Sequence, residues 1–254
     1  MTTIIAIAMQ KGGVGKTTTA INLASGTALG DFSSLLIDMD PQSNTTSGLG
    51  IETDEGDVTS KDIIQNPPSI KNAMVTTCVD QLQLVPSSIE LNNVRAELPK
   101  NNSRYEELSD SIDVIDNDLD YIFIDCPPSL GPLTLNALKV ADEVLIPLQC
   151  EYYALEGLSQ LWQTIKTIQD SFNPELTVRG IILTMFDART NLSSDVKSEA
   201  ESYFGESVMD TTIPRNVKIS EAPGFGLPVL LHDPMSRGAQ AYFRATEEMI
   251  TREQ

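Results

Sequence analysis

The stretch Gln10-Lys11-Gly12-Gly13-Val14-Gly15-Lys16-Thr17-Thr18 directly follows the apolar run 3–9 and decides the fold. An apolar strand that enters a glycine-rich turn and then a helix forms a phosphate-binding loop, because glycines let the backbone N–H groups point inward. In such a loop Lys16 reaches the outer phosphates, and the Thr17 hydroxyl is placed to ligate Mg²⁺. We predict that phosphates also contact the loop residues Gly12, Gly13, Val14, Gly15 and Thr18.

Lys11 departs from the common form of this loop. The spacing G-x-x-x-x-G-K-[ST] would put its first glycine at position 10, where this chain has Gln10. Lys16 already serves the phosphates from within the loop. A second lysine at the mouth of the loop therefore needs a different explanation.

Length and composition limit the class of protein. The 254 residues, 41% of them hydrophobic, favour one large α/β domain over residues 1–254. The three cysteines, Cys78, Cys126 and Cys150, are too widely spaced for a disulfide framework or a zinc site, and the last two end apolar runs typical of buried thiols. We find no secretory signal and no apolar run of about 18 residues that could span a membrane. The protein is expected to be cytoplasmic.

The net charge of −19 argues at first against a nucleic-acid partner, but its distribution is uneven. Residues 31–125 hold 19 acidic and 5 basic side chains, whereas residues 179–254 hold 11 and 8. The C-terminal part can therefore present a local basic patch.

Apolar runs alternate with helical patterns along the chain. This alternation predicts a parallel twisted sheet with helices on both faces and ligands at the carboxyl ends of the strands. Strands are predicted at 34–40, 82–86, 120–125, 143–148 and 178–185; helices at 16–29, 133–140, 154–172, 193–204 and from 238; loops with short helices at 41–75; and an acidic helical region at 90–115.

Carboxylates at strand ends would complete a phosphate site. Asp125 follows the run Tyr-Ile-Phe-Ile, a pattern typical of an aspartate that holds Mg²⁺ through water. Asp38 and Asp40 should leave the second strand on the same side, because side chains alternate with period two. Asp40 is a better candidate than His232, the single histidine, for positioning the attacking water. Asp38 could help with Mg²⁺ or cap a turn, and the sequence does not rank the two aspartates.

Six segments resemble the ParA/Soj family of partition ATPases. The first three mark the wider group of deviant-loop ATPases, which includes the septum-site MinD proteins and nitrogenase iron proteins, and the last three are similar to the chromosomal partition branch. The segments are 11–19, 37–42, 123–131, 183–191, 213–223 and 233–239.

The resemblance implies a mechanism and roles for particular residues. It implies an Mg²⁺-dependent ATPase whose homodimer sandwiches two ATP molecules, with Lys11 reaching across the interface to the partner's ATP. Such a lysine stabilises charge on the transferred phosphoryl group. By the same resemblance Asp40 acts on water and Asp125 supports the metal, and the adenine lies near Pro214, Arg215 and Asn216.

The resemblance also implies partners. The ATP-bound dimer would bind double-stranded DNA nonspecifically, placing the protein on the nucleoid, and a centromere-binding ParB-type protein would stimulate hydrolysis. With −19 charges per subunit, we expect this binding to be weak and strongly salt-dependent. The chain departs from the family at Lys218, where arginine is more usual, and at Ser43, where glycine is. The residues that match DNA-contacting positions, or could add to them, are Arg189, Arg215, Lys218 and Arg237.

Two other classes share the phosphate loop. A MinD-like ATPase would end in a basic amphipathic helix that lies on lipid, whereas residues 241–254 carry a charge of about −1. That tail favours a docking helix, and we expect no membrane binding. An iron-protein reductase needs paired cluster cysteines, and Cys126 lies too near Asp125 for that. An ATPase that positions an organelle or other protein cargo stays open as the alternative.

Overall fold

The computed structural model describes residues 2–97, 107–115, 119–152 and 154–252. These residues form one eight-stranded sheet. Its strands are β1 (Thr3–Ile7), β2 (Ser34–Asp38), β3 (Val75–Thr76), β4 (Leu82–Val85), β5 (Tyr121–Asp125), β6 (Glu143–Gln149), β7 (Thr177–Phe186) and β8 (Val208–Pro214). The strand order is β3-β4-β2-β5-β1-β6-β7-β8.

The helices follow the strands in the alternation that the sequence predicts. They are α1 (Lys16–Leu29), α2 (Asn44–Gly48), α3 (Ser60–Gln65), α4 (Ile70–Ala73), α5 (Leu91–Glu97), α6 (Glu107–Ile112), α7 (Pro132–Val140), α8 (Ala154–Ser171), α9 (Asn191–Phe204), α10 (Val217–Glu221), α11 (Val229–His232) and α12 (Arg237–Thr251). Within the described ranges, no helix combines the length and the apolar character that crossing a bilayer requires.

Helices cover both faces of the sheet because the buried strands are apolar on both sides. In β1, Ile5 and Ile7 pack with α1, α11 and α12, whereas Ala6 packs with α7 and α8 on the opposite face. β1 pairs in parallel with both β5 and β6. The phosphate loop therefore leaves the sheet at the carboxyl end of a central strand. In open α/β sheets, ligands bind in a crevice outside these strand ends.

The sequence predicts most of these elements correctly, including the exact span of α1 and the short helices within 41–75. Two expectations need correction. The sheet is not wholly parallel, because β3 pairs antiparallel with β4 at the edge. In the region 90–115, the described residues include the helices α5 and α6, as predicted, and residues 98–106 lie outside the described part of the chain. The second strand ends at Asp38 and does not reach Asp40.

Strand β8 was missed by the sequence analysis. Its sequence, Val-Met-Asp-Thr-Thr-Ile-Pro, lacks the continuous apolar run of the central strands, and Asp210 within it is exposed. An edge strand pairs on one side only, so it can carry polar residues that a central strand excludes.

A buried ion pair ties α12 to the sheet. Arg179 on β7 donates through Nη1 to Glu143 Oε1 on β6 at 3.0 Å and through Nε to the backbone oxygen of Met249 at 2.8 Å. The side chains of Arg179 and Glu143 are only 12% and 2% exposed. The guanidinium thus binds a carboxylate and the C-terminal carbonyls of α12 together. Its positive charge also interacts favourably with the negative, C-terminal end of the α12 dipole.

We expect Arg179→Met to lower the free energy of unfolding by about 3 kcal/mol, because it leaves the Glu143 carboxylate buried without its cation. Urea unfolding followed by circular dichroism measures this loss. Adding Glu143→Gln to the variant should restore part of it, since the buried charge is then removed. A loss below about 1 kcal/mol in the single variant would show that the pair is not what fixes α12.

Candidate active site

The phosphate loop owes its shape to two glycines in left-handed conformations. Gly13 and Gly15 have φ values of 75° and 92°, which side chains with a Cβ rarely adopt. Between them, the backbone oxygen of Val14 accepts a hydrogen bond from Thr184 Oγ1 on β7 at 2.8 Å. Gly15 caps α1, so the helix begins at Lys16 with its N-terminus facing the loop. The loop is therefore held open by its own backbone and by the neighbouring sheet.

Lys16 folds back into this loop. Its side-chain nitrogen donates to the backbone oxygen of Lys11 at 3.0 Å, and the residue is only 6% exposed. Burial lowers the pKa of Lys16, and the nearby Asp125 carboxylate opposes that shift. The ammonium group is thus aimed at the centre of the loop, where a phosphate would replace the carbonyl as its partner.

Two buried carboxylates meet at the ends of adjacent strands, since Asp38 on β2 pairs in register with Asp125 on β5. Asp125 Oδ2 accepts hydrogen bonds from Thr17 Oγ1 at 2.8 Å and Thr45 Oγ1 at 2.7 Å. Its other oxygen, Oδ1, is buried and accepts no hydrogen bond from any residue that the structure describes. A buried acceptor without a donor is costly, and a hydrated cation is one of the few groups that would relieve it.

Asp38 differs from Asp125 in having both oxygens engaged. Oδ2 accepts from the backbone nitrogen and the hydroxyl of Thr46, and Oδ1 accepts from the backbone nitrogen of Asp40. Burial raises the pKa of both Asp38 and Asp125, and the neighbouring Asp125 charge raises that of Asp38 further. Positive charge in the adjoining cleft would therefore favour the ionised pair.

Asp38 and Asp40 have different surroundings. Asp38 is buried at the end of β2 and bonded to Thr46 on α2, whereas Asp40 lies two residues beyond the strand and lines the cleft. Asp40 Oδ1 accepts the backbone N–H of Gln42 at 3.0 Å. Because β2 ends at Asp38, the period-two alternation of a strand does not determine the side on which Asp40 lies, and the expectation of a shared side stays a prediction. The different contacts of Asp38 and Asp40 distinguish the two aspartates that the sequence could not rank.

Beside the buried carboxylates Asp38 and Asp125, the residues Lys16, Thr17 and Asp40 line a cleft of about 470 Å³. Its lining includes the loop and the first turn of α1, together with residues that the sequence analysis did not single out. Those additional residues are Ile21, Gln42, Asn44, Ser47, Pro128, Met185 and Pro223. Gln42, Pro128, Met185 and Pro223 fall within the quoted motif segments, so the motifs were the available signal. Met185 also has a φ of 53°, and such strained residues cluster at ligand sites.

Lys11 points away from the interior of the loop. Its ammonium group forms an ion pair with Glu151 Oε2 at 2.6 Å, and the two side chains are 36% and 46% exposed. Glu151 is held in turn by Gln149 Nε2, which donates to its Oε1. Lys11 therefore lies partly exposed at the start of the phosphate loop, directly before Gly12, which lines the cleft.

The residues expected near adenine lie beyond the lining of the cleft. Pro214 ends β8, the Arg215 backbone nitrogen donates to the oxygen of Phe186, and Asn216 caps α10. None of the three is among the described residues that line the cleft, whereas Met185 and Pro223 are. Their role in adenine binding stays a prediction.

The four residues expected to contact DNA come from neighbouring segments. Arg189 follows β7, Arg215 follows β8, and Lys218 lies on α10; β7 and β8 are adjacent and parallel. Arg237 begins α12, and the next residue, Gly238, lies against α10. Arg189, Arg215 and Arg237 are exposed, and Lys218 is half-buried. The fold thus brings these cations to one edge of the sheet.

Comparisons with known proteins agree with this architecture. A family model described as an AAA domain matches residues 2–178. The chromosome partitioning protein ParA of Myxococcus xanthus is 48% identical over 250 residues, which cover 98% of this chain and 88% of that protein. The sporulation initiation inhibitor protein Soj of Bacillus subtilis is 48% identical over 246 residues, 97% of each chain. The chain belongs to the ParA/Soj family.

This ParA/Soj chain is also similar to a solved structure that contains a bound nucleotide analogue. The cobyrinic acid a,c-diamide synthase of Mycobacterium smegmatis, crystallised with an ATP analogue and magnesium, is 34% identical with a TM-score of 0.85, covering 98% of this chain and 95% of that one. The α/β fold predicted from the alternating pattern and the family predicted from the six motifs are both confirmed. Membership of this family implies an ATPase.

Ser43, where the family resemblance led us to expect glycine, has a left-handed backbone with φ 54° and ψ 32°. Its side chain makes no capping hydrogen bond to α2. We expect Ser43→Gly to raise the free energy of unfolding by about 1 kcal/mol, because glycine adopts this conformation without a Cβ clash. Urea denaturation measures the gain. Ser43→Ala, which keeps the Cβ, is the matched control, and equal stabilities of the two variants would contradict the explanation.

Proposed function

We propose that this chain is an ATP-dependent DNA-partitioning switch, a single ATPase domain that hydrolyses ATP to ADP and phosphate. The observation that carries the proposal is the pair of lysines at one loop. Lys16 is buried in the loop, whereas the ammonium group of Lys11 is turned outward to Glu151 and is partly exposed. One lysine serves the chain's own nucleotide and the other is free to serve a partner's, once its ion pair with Glu151 opens.

Magnesium fits the carboxylate end of the cleft. Thr17 and Asp125 would hold the ion, the first directly and the second through water, and the buried Asp125 Oδ1 supplies the acceptor that such a water needs. No group of three or more His, Cys, Asp or Glu side chains in the described residues is arranged to hold a metal alone. That suits an ion that keeps several waters and shares the nucleotide's phosphates. When bound, Mg²⁺ neutralises charge on those phosphates.

Asp38 would support the metal site without ligating the ion. Its oxygens already accept three hydrogen bonds from Thr46 and Asp40, so its carboxylate orients α2 and the turn that carries Asp40. Asp40 lines the cleft and would position the attacking water. Lys16 and, from the partner subunit, Lys11 would stabilise the charge that develops on the transferred phosphoryl group.

The switch would work through dimerisation. Two subunits close over two ATP molecules, and closure doubles the basic edge formed by Arg189, Arg215, Lys218 and Arg237. Doubling a weak phosphate-binding surface raises its effective affinity without new contacts. A ParB-type protein would stimulate hydrolysis and return the subunits to monomers. The name of the Myxococcus xanthus relative, a chromosome partitioning protein, supports the partitioning role, and we propose a nucleoid location with it.

We expect Asp40→Ala to bind ATP and accumulate as a dimer while its hydrolysis rate falls about 100-fold, because the attacking water loses its positioning group. Size-exclusion chromatography with ATP and a phosphate-release assay measure the two effects. Asp54→Ala, which removes an exposed aspartate elsewhere, should behave as wild type. Normal hydrolysis by Asp40→Ala would remove Asp40 from this role.

Binding to a random-sequence DNA duplex tests the proposed function directly. The protein is titrated with ATP, with ADP and without nucleotide over a range of salt concentrations. Binding that requires ATP and falls steeply with salt is expected. Lys16→Ala should bind neither ATP nor DNA. The absence of DNA binding by the wild type under all conditions would overturn the DNA-partitioning role and favour a membrane or protein surface as the matrix.

We expect Arg189→Glu to dimerise normally with ATP yet to lose DNA affinity by on the order of tenfold, since a phosphate contact is replaced by repulsion. Lys166→Glu on α8 makes the same charge reversal at an exposed position away from the basic edge. It controls for net charge. Equal losses in both variants would show that Arg189 makes no specific contribution.

A further inference from the structure

Arg189 is exposed but already paired. Its Nε donates to Asp187 Oδ1 at 2.9 Å and its Nη2 donates to Asp187 Oδ2 at 2.7 Å, although the arginine side chain is 88% exposed. The same Oδ1 accepts the backbone N–H of Arg189 at 3.0 Å. The Arg189 guanidinium holds the pKa of Asp187 well below its usual range, and Arg215 contributes to that shift. The carboxylate is therefore ionised and fills one complete edge of the guanidinium.

Lys218 is paired in the same way. Its Nζ donates to Glu221 Oε2 at 2.8 Å, and His232 Nε2 lies 3.7 Å from the same oxygen. Glu221 raises the pKa of Lys218, and the carboxylate of Asp233, which directly follows α11, adds to that shift. Two of the four cations at the basic edge thus each have a carboxylate partner two or three residues away in the chain.

We propose that Asp187 and Glu221 are electrostatic latches, which compete with DNA phosphates for Arg189 and Lys218 and so set the DNA affinity of the basic edge. The proposal rests on the proposed function, because it assigns regulation to the same surface. It adds two acidic residues that the family motifs did not single out as part of the DNA-binding surface.

The competition follows from the geometry of the two ligands. A carboxylate and a phosphate both present two oxygens that match the paired donors of a guanidinium, so the edge that Asp187 occupies cannot bind phosphate at the same time. A phosphate that binds this edge must displace the carboxylate, and one that binds elsewhere on the guanidinium lies close to its negative charge. Exposed ion pairs are weak, so displacement is possible, but the remaining negative charge lowers the affinity.

Asp187→Asn separates the charge of Asp187 from its role in the loop. The asparagine side-chain oxygen can still accept the Arg189 backbone N–H, so the turn that leads into α9 is kept while the negative charge is lost. Glu221→Gln does the same for Lys218. Each substitution removes one negative charge from the subunit, so the control must change the net charge by the same amount.

The control is Glu90→Gln. Glu90 is an exposed acid that pairs with Lys61, and it follows β4, which lies near the opposite edge of the sheet from β7 and β8. This variant changes net charge by the same amount and also breaks an exposed ion pair. It leaves the basic edge as it is.

The test measures binding of the full chain with ATP to a random-sequence DNA duplex across a salt series. We expect Asp187→Asn to tighten binding about threefold per subunit, hence about tenfold for a dimer with two copies, and to steepen the salt dependence. Glu221→Gln should act in the same direction and Glu90→Gln should change little. Thermal unfolding verifies that all three variants are folded.

Two results have distinct meanings. If Asp187→Asn binds DNA no more tightly than Glu90→Gln, or more weakly than the wild type, the latch is overturned, and a weaker value would indicate that Asp187 orients Arg189 for DNA. If the wild type itself does not bind DNA with ATP, the proposed function fails, and the latch, which requires DNA binding, is overturned with it.

Discussion

The carboxylate of Asp125 is the constraint on which the site depends. It is fully buried at the end of the central strand β5, and one of its oxygens accepts hydroxyl hydrogen bonds from Thr17 on α1 and Thr45 on α2. The phosphate-loop helix and the segment that follows Asp40 are therefore joined through a single atom. Because a buried carboxylate needs its donors, a change of partner at this oxygen alters a hydrogen bond of both helices.

The neighbouring Asp38 extends the same network into the sheet. Its contacts with Thr46 fix α2 from the other side, and the Thr46 hydroxyl also accepts the backbone N–H of Ser87 beyond β4. The cleft thus connects with the half of the sheet that carries most of the chain's acidic residues. The basic edge lies on the other half, beyond β7 and β8. The two surfaces are nevertheless close, because Met185 and Pro223 line the cleft and lie within five residues of Arg189 and Lys218 in the chain.

The sequence was most informative where local chemistry and local structure coincide. The phosphate loop, α1 and Asp125 follow from a strand, two left-handed glycines and an apolar run that ends in a carboxylate. It was less informative where the determining contact is distant in the chain. Strand β8 has no apolar run of its own because it lies at an edge. The separate positions of Asp38 and Asp40 depend on Thr46, whose position depends on the packing of α2.

By itself, the sequence determined the α/β class, the family, the nucleotide loop and the set of candidate cations, because each is written in contiguous residues. Only the tertiary structure decided which partners those residues have. It placed Lys11 beside Glu151, 140 positions away, and left Asp125 Oδ1 buried without a described donor. It also showed one edge of the Arg189 guanidinium paired with Asp187, a neighbour in the chain. Spacing restricts which residues can meet, but the angles at which strands end and helices pack determine which of them do.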